Sequence, residues 1–177
     1  MIQGPLGPGS RWRSLAAVAV FVCAGVAGCG GLGINWPHYG PGPLKVGDTE
    51  AAVVARLGTP HERVARADGQ RLVFVRGPMG KHTWMVVLGA DGRVQSLEQV
   101  LDPATFARVQ PGMSQAQVRE LLGPPAERRR LAMEGRSLDV WRFQTYDCLL
   151  FAVTLNNIGR VLDAGYMPDP VCDVDSD

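Results

Sequence analysis

The amino-acid sequence predicts an α+β protein with two tandem units. Each unit consists of one or more short helices followed by a three-stranded antiparallel β-meander. The first observation is a repeated segment: GDTEAAVVARLGTP at residues 47–60 recurs as GMSQAQVRELLGPP at residues 112–125. The second is that three strand-like runs of alternating apolar residues follow each copy. The third is helix length, since helices this short are not stable alone in water and must pack on a sheet.

Residues 1–28 have the pattern of a signal peptide. Arg11 and Arg13 precede the uncharged apolar run SLAAVAVFVCAGVAG, which is shorter than the ~20 residues that a membrane-spanning helix needs. The run ends in VAGC at residues 26–29, which resembles the lipobox of bacterial lipoproteins. The resemblance implies cleavage before Cys29 and attachment of lipid to its thiol and new amine. The alternatives are a plain signal peptide or a single-pass anchor.

The rest of the chain is nearly neutral. The whole sequence has 18 basic and 17 acidic residues, and the leader holds two of the basic ones and none of the acidic ones. This balance argues against a nucleic-acid-binding protein, whose affinity depends on clustered Lys and Arg. The predicted domains are a Gly/Pro-rich tether at 29–45, a first unit at 46–101, a second unit at 102–168 and an acidic tail at 169–177.

Each repeated segment has the start and stop signals of a short helix. In the second copy Ser114 is an N-cap, and Gln117 three residues later completes a capping box. Gly123 then ends the helix before two prolines. In the first copy Thr49 can cap, but Ala52 cannot complete the box. We therefore expect the first helix to fray more easily.

Three strands are predicted after each helix. The runs lie near 71–76, 82–89 and 92–100, and then near 137–145, 148–155 and 160–166. Alternation along each run presents one apolar face to the helix and a second face away from it. The second face is apolar enough to be a site of contact with a partner protein. Its candidate contact residues, with the neighbouring strand aromatics, are Met85, Val87, Trp141 and Phe143. The alternative is that the two sheets abut there and bury this surface.

Two cysteines remain after the leader and Cys29. In an oxidising compartment Cys148 and Cys172 can form a disulfide that joins the tail to a strand. The alternative is a buried free Cys148 and an unpaired Cys172, because the sequence does not supply the Cα separation that a bridge requires.

The residue pattern predicts a protein that is not an enzyme and that holds no cofactor or metal. The three histidines, His38, His61 and His82, lack metal-ligand spacing. Cys148 beside Asp147 has no identifiable histidine partner, which a cysteine nucleophile needs. The acids of the tail lack the glycine turn and spacing of a calcium loop, so we expect a solvated tail.

Residues 103–127, PATFARVQPGMSQAQVRELLGPPAE, resemble the signature of the SmpA/OmlA/BamE family of small outer-membrane lipoproteins. The resemblance implies a short helix, a second helix ending in Leu-Gly-x-Pro, and a three-stranded sheet. Residues 140–143 resemble the aromatic strand of that sheet. It covers residues 102–166 well and 45–100 in weaker form. Members usually carry one such unit, whereas this chain has two.

The resemblance also implies a function. It implies a lipid-anchored protein of the bacterial outer membrane, facing the periplasm, which docks on envelope proteins. These partners include the β-barrel assembly machinery, so the expected role is that of an accessory factor in barrel assembly or envelope integrity. No small-molecule substrate is expected. The tandem architecture is also similar to that of the β-lactamase inhibitory proteins, so the alternative function is a periplasm-facing inhibitor or binding module.

Overall fold

The computed structural model describes residues 39–132 and 135–175. Its helices are α1 (Glu50–Leu57), α2 (Pro103–Phe106) and α3 (Gln115–Leu122). Its strands are β1 (Glu62–Arg66), β2 (Gly69–Arg76), β3 (His82–Gly89), β4 (Val94–Gln99), β5 (Glu127–Arg130), β6 (Ser137–Arg142), β7 (Leu149–Leu155) and β8 (Val161–Pro168). Short 3₁₀ helices occupy Pro78–Gly80 and Pro170–Asp175.

The strands form two antiparallel four-stranded sheets. Sheet 1 has the order β1-β2-β3-β4 and sheet 2 the order β5-β6-β7-β8. The predicted α+β class is confirmed, but the three-stranded meander is wrong, because β1 and β5 add a fourth strand at one edge of each sheet. Their sequences, ERVAR and ERRR, are too polar to give an alternating apolar signal. Charged residues are typical of edge strands, where they discourage pairing with other chains.

The helix caps form as the local sequence predicts. The Ser114 hydroxyl accepts from the Gln117 backbone N–H at 3.2 Å, while the Gln117 side chain accepts from the Ser114 backbone N–H at 2.8 Å. The Thr49 hydroxyl accepts from the Ala52 N–H at 3.3 Å, and Ala52 has no side-chain acceptor to return the bond. The start of α3 is therefore held by two reciprocal bonds, and the start of α1 by one.

Both units tie the last hairpin of the sheet to the turn before the helix in the same way. Arg93 donates to the carbonyl oxygen of Gly47 at 2.9 Å. Arg160 donates to the carbonyl oxygen of Gly112 at 3.2 Å. Each half thus has a helix followed by four antiparallel strands, and the same tie from the last hairpin to the turn before that helix.

Helix α1 packs on one face of sheet 1. Val53 and Leu57, four residues apart, lie on the side of the helix that meets the sheet, so both are buried. The sheet residues in this cluster are Leu72, Phe74, Val86, Leu88 and Val94.

Helix α3 packs between the two sheets. Val118 and Leu122 belong to one buried cluster with Met85 of sheet 1 and Trp141 and Val153 of sheet 2. Side chains alternate along a strand, so Met85 lies on the face of sheet 1 opposite to α1. Helix α3 therefore lies between this face of sheet 1 and the inner face of sheet 2.

Two crossed ion pairs accompany this packing. The buried Arg71 of β2 donates from both terminal nitrogens to the Glu120 carboxylate, with Nη2 to Oε2 at 2.7 Å. Arg119, the preceding residue of α3, pairs with Glu62 of β1. Because each pair joins α3 to sheet 1, the ion pairs fix the position of the second unit's helix on the first unit's sheet.

The glycine that ends α3 provides a test of this packing. Gly123 has a φ of 76°, and a Cβ there would lie 2.9 Å from Cγ2 of Thr83 in sheet 1. Gly58 has a φ of 78°, but its added Cβ would meet the flexible Arg76 side chain at 3.4 Å. Both alanine variants should lose about 1–3 kcal/mol of unfolding free energy through backbone strain.

Gly123→Ala should lose about 1–3 kcal/mol more than Gly58→Ala, because the new methyl group overpacks the contact with Thr83. Urea denaturation of the two variants measures this difference. Equal losses would contradict the described contact between α3 and sheet 1.

Candidate functional site

The residues predicted as a contact surface do not form an open face. Met85, Trp141 and Phe143 are buried, and Val87 is half-buried. Met85 is covered by α3, and Trp141 donates from Nε1 to the carbonyl oxygen of Gly123 at 3.3 Å. The alternative prediction was that the two sheets bury this surface. Met85 is indeed buried, but α3 lies between the sheets and covers it. The prediction of an exposed contact surface is therefore wrong for Met85, Trp141 and Phe143, and for Val87 it stays a prediction.

Phe143 lies in an aromatic cluster at the end of sheet 2. Its ring contacts Phe106 of α2 with centroids 5.1 Å apart, edge to face. Phe106 in turn stacks on Phe151 at 4.3 Å. Tyr166 of β8 closes the cluster, with its ring 6.0 Å from Phe106. Helix α2 is therefore held on sheet 2 by aromatic packing.

The edge strand β8 carries apolar residues that stay exposed. Leu162, Tyr166 and Met167 are each between 38% and 49% exposed. Beside Tyr166 lies an open cavity of about 280 Å³, between α2 and β8, with Phe106 in its wall. Met167 pairs with Leu150 and lies on the opposite face of the sheet, so β8 exposes apolar side chains on both faces.

The structure pairs Cys148 with Cys172 as a disulfide, with Cα atoms 6.2 Å apart. The bridge joins the residue before β7 to the 3₁₀ helix at Pro170–Asp175. Cys29, the predicted lipid attachment site, lies outside the described residues, as do the signal peptide and His38.

Loss of this bridge should destabilise the protein. Cys172→Ser should lower the unfolding free energy by about 3 kcal/mol, because the bridge closes a loop with a sequence separation of 24. Reductant should lower the urea midpoint of the unaltered protein to about that of the variant, and it should leave the midpoint of the variant unchanged. A variant that unfolds at the same urea concentration as the unaltered protein would contradict a stabilising bridge.

Asp169, expected in a solvated tail, is buried. Arg142 donates from Nε to Oδ2 at 2.8 Å and from Nη2 to Oδ1 at 3.3 Å, and the Val171 N–H donates to Oδ1 at 3.2 Å. Burial alone would raise the pKa of Asp169, but the hydrogen bonds from Arg142 and Val171 outweigh it and hold the pKa below its usual 3.8. The first acid of the tail thus ties the tail to β6.

The lowered pKa of Asp169 makes stability dependent on pH. The ionised carboxylate is favoured in the folded state, so its contribution is present above the unfolded pKa of about 4 and is lost as the pH falls through the folded pKa. We expect Asp169→Asn to destabilise the protein at pH 7 and to differ progressively less from the unaltered protein below about pH 4. Urea unfolding across this pH range measures the difference. A difference that is constant with pH would contradict the ion pair.

The described end of the tether lies on sheet 1. Tyr39 stacks on His82 with ring centroids 5.5 Å apart, and Trp84 donates from Nε1 to the Tyr39 carbonyl oxygen at 2.8 Å. Burial, and then the charge of Lys81, lower the pKa of His82. A neutral imidazole at pH 7 therefore faces the tyrosine ring. Leu44 continues the contact by packing on the sheet 1 core.

Two further features follow from a survey of the described part of the chain. Residues 39–132 and 135–175 contain no group of three or more His, Cys, Asp or Glu side chains arranged to hold a metal ion. Over the same residues, no helix has the length and apolar character needed to cross a membrane.

One segment of the chain matches a known family. Residues 98–134 match the family model described as "Outer membrane protein assembly factor BamE domain". The predicted resemblance to BamE is confirmed for this segment. It runs from the end of β4 through α2 and α3 to the β5–β6 connection, and so includes the helix that lies between the sheets.

Comparison with solved structures finds partial similarities to this BamE-like chain. A putative osmotically inducible lipoprotein OsmE is 21% identical, covers 42% of this chain and 80% of its own, and has a TM-score of 0.35. A putative β-lactamase inhibitor protein from Streptococcus mutans is 13% identical, covers 72% of this chain and 87% of its own, and has a TM-score of 0.32. Comparison with curated proteins finds no match.

Proposed function

We propose that this chain is a lipid-anchored protein of the bacterial cell envelope that acts by docking on other envelope proteins. The proposed role is that of an accessory factor in the assembly of outer-membrane β-barrel proteins. The observation that carries this proposal is the match of residues 98–134 to the BamE domain. The VAGC sequence at residues 26–29 supports it independently, because it is the expected attachment signal for such a protein.

The anchor is assigned to Cys29. A single acyl chain holds a protein only marginally at a membrane, whereas several chains, each contributing ~0.8 kcal/mol per buried methylene, hold it stably. Gly30 stands where an aspartate would commonly signal retention in the inner membrane, which favours the outer membrane.

Replacement of Cys29 by serine tests the anchor. Cys29→Ser should abolish labelling by a radioactive fatty acid and block the cleavage before residue 29, so the chain should keep its leader and run at a higher apparent mass. Cys23→Ser, which changes the cysteine of the leader, is the matched control and should leave labelling and cleavage unchanged. Fatty-acid labelling that persists in Cys29→Ser would exclude lipid attachment at this residue.

The docking surface is assigned to the outer edge of β8 beyond Val161, because the N–H and C=O groups of Val161 are already bonded to Met113 and Gly112. An edge strand offers unpaired backbone N–H and C=O groups to an extended segment of a partner, and exposed side chains of the strand add specificity. The β8 side chains are apolar at Leu162 and Met167, whereas the opposite edge of the sheet, β5, carries three successive arginines. An apolar edge suits docking better than a charged one.

Photo-crosslinking in the envelope tests both the partner and the surface. A photoreactive amino acid at Leu162 of the anchored protein should form crosslinks to subunits of the β-barrel assembly machinery. Ile158 is the matched control, because it is also an exposed apolar residue but lies in the turn before β8. Crosslinks from both positions alike would contradict the assignment to β8.

The same crosslinking experiment distinguishes the proposed assembly factor from the alternative function, an inhibitor of another protein. If Leu162 instead forms crosslinks to a soluble hydrolase, and the purified chain inhibits that hydrolase, the protein is an inhibitor and not an assembly factor. In both cases the chain acts by binding a protein rather than by catalysis.

A further inference from the structure

Each unit has a groove between the hairpin of its first two strands and the hairpin of its last two strands, and in the second unit Gln115 of α3 also lines it. In the first unit the groove, of about 490 Å³, is lined by small and neutral residues together with Arg63. In the second unit the groove, of about 410 Å³, is lined by arginines, amides and a hydroxyl. The equivalent grooves of the two units therefore differ in the charge and polarity of the side chains that line them.

The differences are position by position. Arg128 of the second groove corresponds to Arg63 of the first at the repeat spacing, and Arg130 corresponds to Ala65. In the hairpin between the last two strands, Asn156 and Asn157 stand where the first unit has Gly89 and Ala90. The second groove has thus acquired hydrogen-bond donors where the first has small side chains.

The charge balance of the two grooves also differs. In the first unit Glu50 of α1 pairs with Arg63 and accepts from Gln70 Nε2 at 2.7 Å, so the arginine is neutralised. In the second unit an uncharged glutamine, Gln115, stands at the position of Glu50. The carboxylate that pairs with Arg128 comes instead from Asp139 of β6.

Asp139, a carboxylate behind the second groove, is already paired. Asp139 is fully buried and accepts from Arg128 at 2.6 and 2.8 Å and from Gln115 Nε2 at 3.1 Å. Arg130 is exposed and has no ion pair or hydrogen bond from its side chain to another described residue. An unpaired guanidinium beside a satisfied one leaves the groove with an excess of positive charge.

We propose that the groove of the second unit binds the phosphate group of a small organic phosphate or of a lipid headgroup. The guanidinium of Arg130 has the planar fork that binds phosphate oxygens in pairs. The Ser137 hydroxyl and the amides of Asn156 and Asn157 line other sides of the groove and offer further donors for the several oxygens of a phosphate group. The positive end of the α3 dipole, next to Gln115, favours an anion further.

Calorimetric titration of the full chain in detergent tests the proposal, with glycerol 3-phosphate and inorganic phosphate as probes at low ionic strength. Arg130→Gln should weaken binding of glycerol phosphate by about tenfold or more, because a charge-assisted bidentate contact is lost. Asn157→Ala should weaken it less. Arg63→Gln, the matched change in the first groove, should leave the affinity unchanged.

Vesicles identify the source of the phosphate. Chain carrying Cys29→Ser, which has no lipid of its own, is mixed with phosphatidylglycerol vesicles. Binding that is lost in Arg130→Gln and displaced by glycerol phosphate indicates a lipid headgroup. Binding of glycerol phosphate without binding of vesicles indicates a soluble phosphate.

Three results would overturn the proposal. The first is no binding of either probe or of vesicles. The second is equal binding by Arg130→Gln and the unaltered chain. The third is an equal loss in Arg63→Gln, since that would place the effect outside the groove of the second unit. The test does not depend on the docking role, because neither a partner protein nor the assembly machinery is present.

Discussion

Arg128→Ala is expected to lower the free energy of unfolding by about 3 kcal/mol, near the low end of the range for a broken buried ion pair. The Asp139 side chain is 1% exposed, so without Arg128 its charge would stay buried with Gln115 as its remaining partner. The Arg128 side chain is 43% exposed, which keeps the effect at that low end. Urea denaturation at neutral pH measures the loss.

Asp139→Leu is the informative control for this prediction. Leucine is the residue that the first unit has at the equivalent position, Leu72. Removal of the buried acid leaves Arg128 free to extend into water, so we expect a change within about 1 kcal/mol of the unaltered protein. If Asp139→Leu is as damaging as Arg128→Ala, the cost does not come from an uncompensated buried carboxylate.

The second large effect is expected at the helix between the sheets. Leu122→Ala should lower the free energy of unfolding by about 2–5 kcal/mol, because Leu122 is fully buried and its loss leaves a cavity. Leu57→Ala at the equivalent position of α1 should cost a similar amount, since Leu57 is equally buried. Urea unfolding followed by circular dichroism measures both losses.

The two leucine variants should differ in where the damage spreads. Leu122 belongs to a cluster with residues of both sheets, whereas Leu57 belongs to a cluster of sheet 1. Leu122→Ala should therefore weaken sheet 1 and sheet 2 together, and Leu57→Ala should weaken sheet 1 first. A Leu122→Ala variant in which sheet 1 unfolds as before would show that α3 does not support it.

Much of the local structure could be predicted from the sequence, because its causes are local. The cap at Ser114, its partner Gln117 and the stop at Gly123 lie within ten residues of one another. The six apolar strands were predicted because alternation along a strand needs no knowledge of its neighbours. Helix α2 was implied by the family resemblance at residues 103–127, and the Asp102 carboxylate caps it by accepting from the Thr105 N–H at 3.0 Å.

The rest depends on contacts between distant parts of the chain. Strands β1 and β5 are held as edges by pairing and carry no apolar pattern of their own. The burial of Met85 is set by α3, a helix of the other unit. The burial of Asp169 is set by Arg142, 27 residues earlier in the chain. A pattern read along one segment does not show which distant segment will cover it.

The same limit explains why the predicted contact surface was misplaced. Met85 and Trp141 have the size and polarity of residues at binding interfaces, and they do lie at an interface, but it is internal. We infer that α3 joins the two sheets into one cooperative body, which leaves the exposed edge β8 and the groove of Arg130 as surfaces for other molecules.

Native-state amide hydrogen exchange in the unaltered protein and in Leu122→Ala measures this coupling between the sheets. We predict that the slowest amides of β3 and of β7 lose protection by the same free energy in the variant, because both strands pack on α3. Loss of protection in β7 with unchanged exchange in β3 would contradict it.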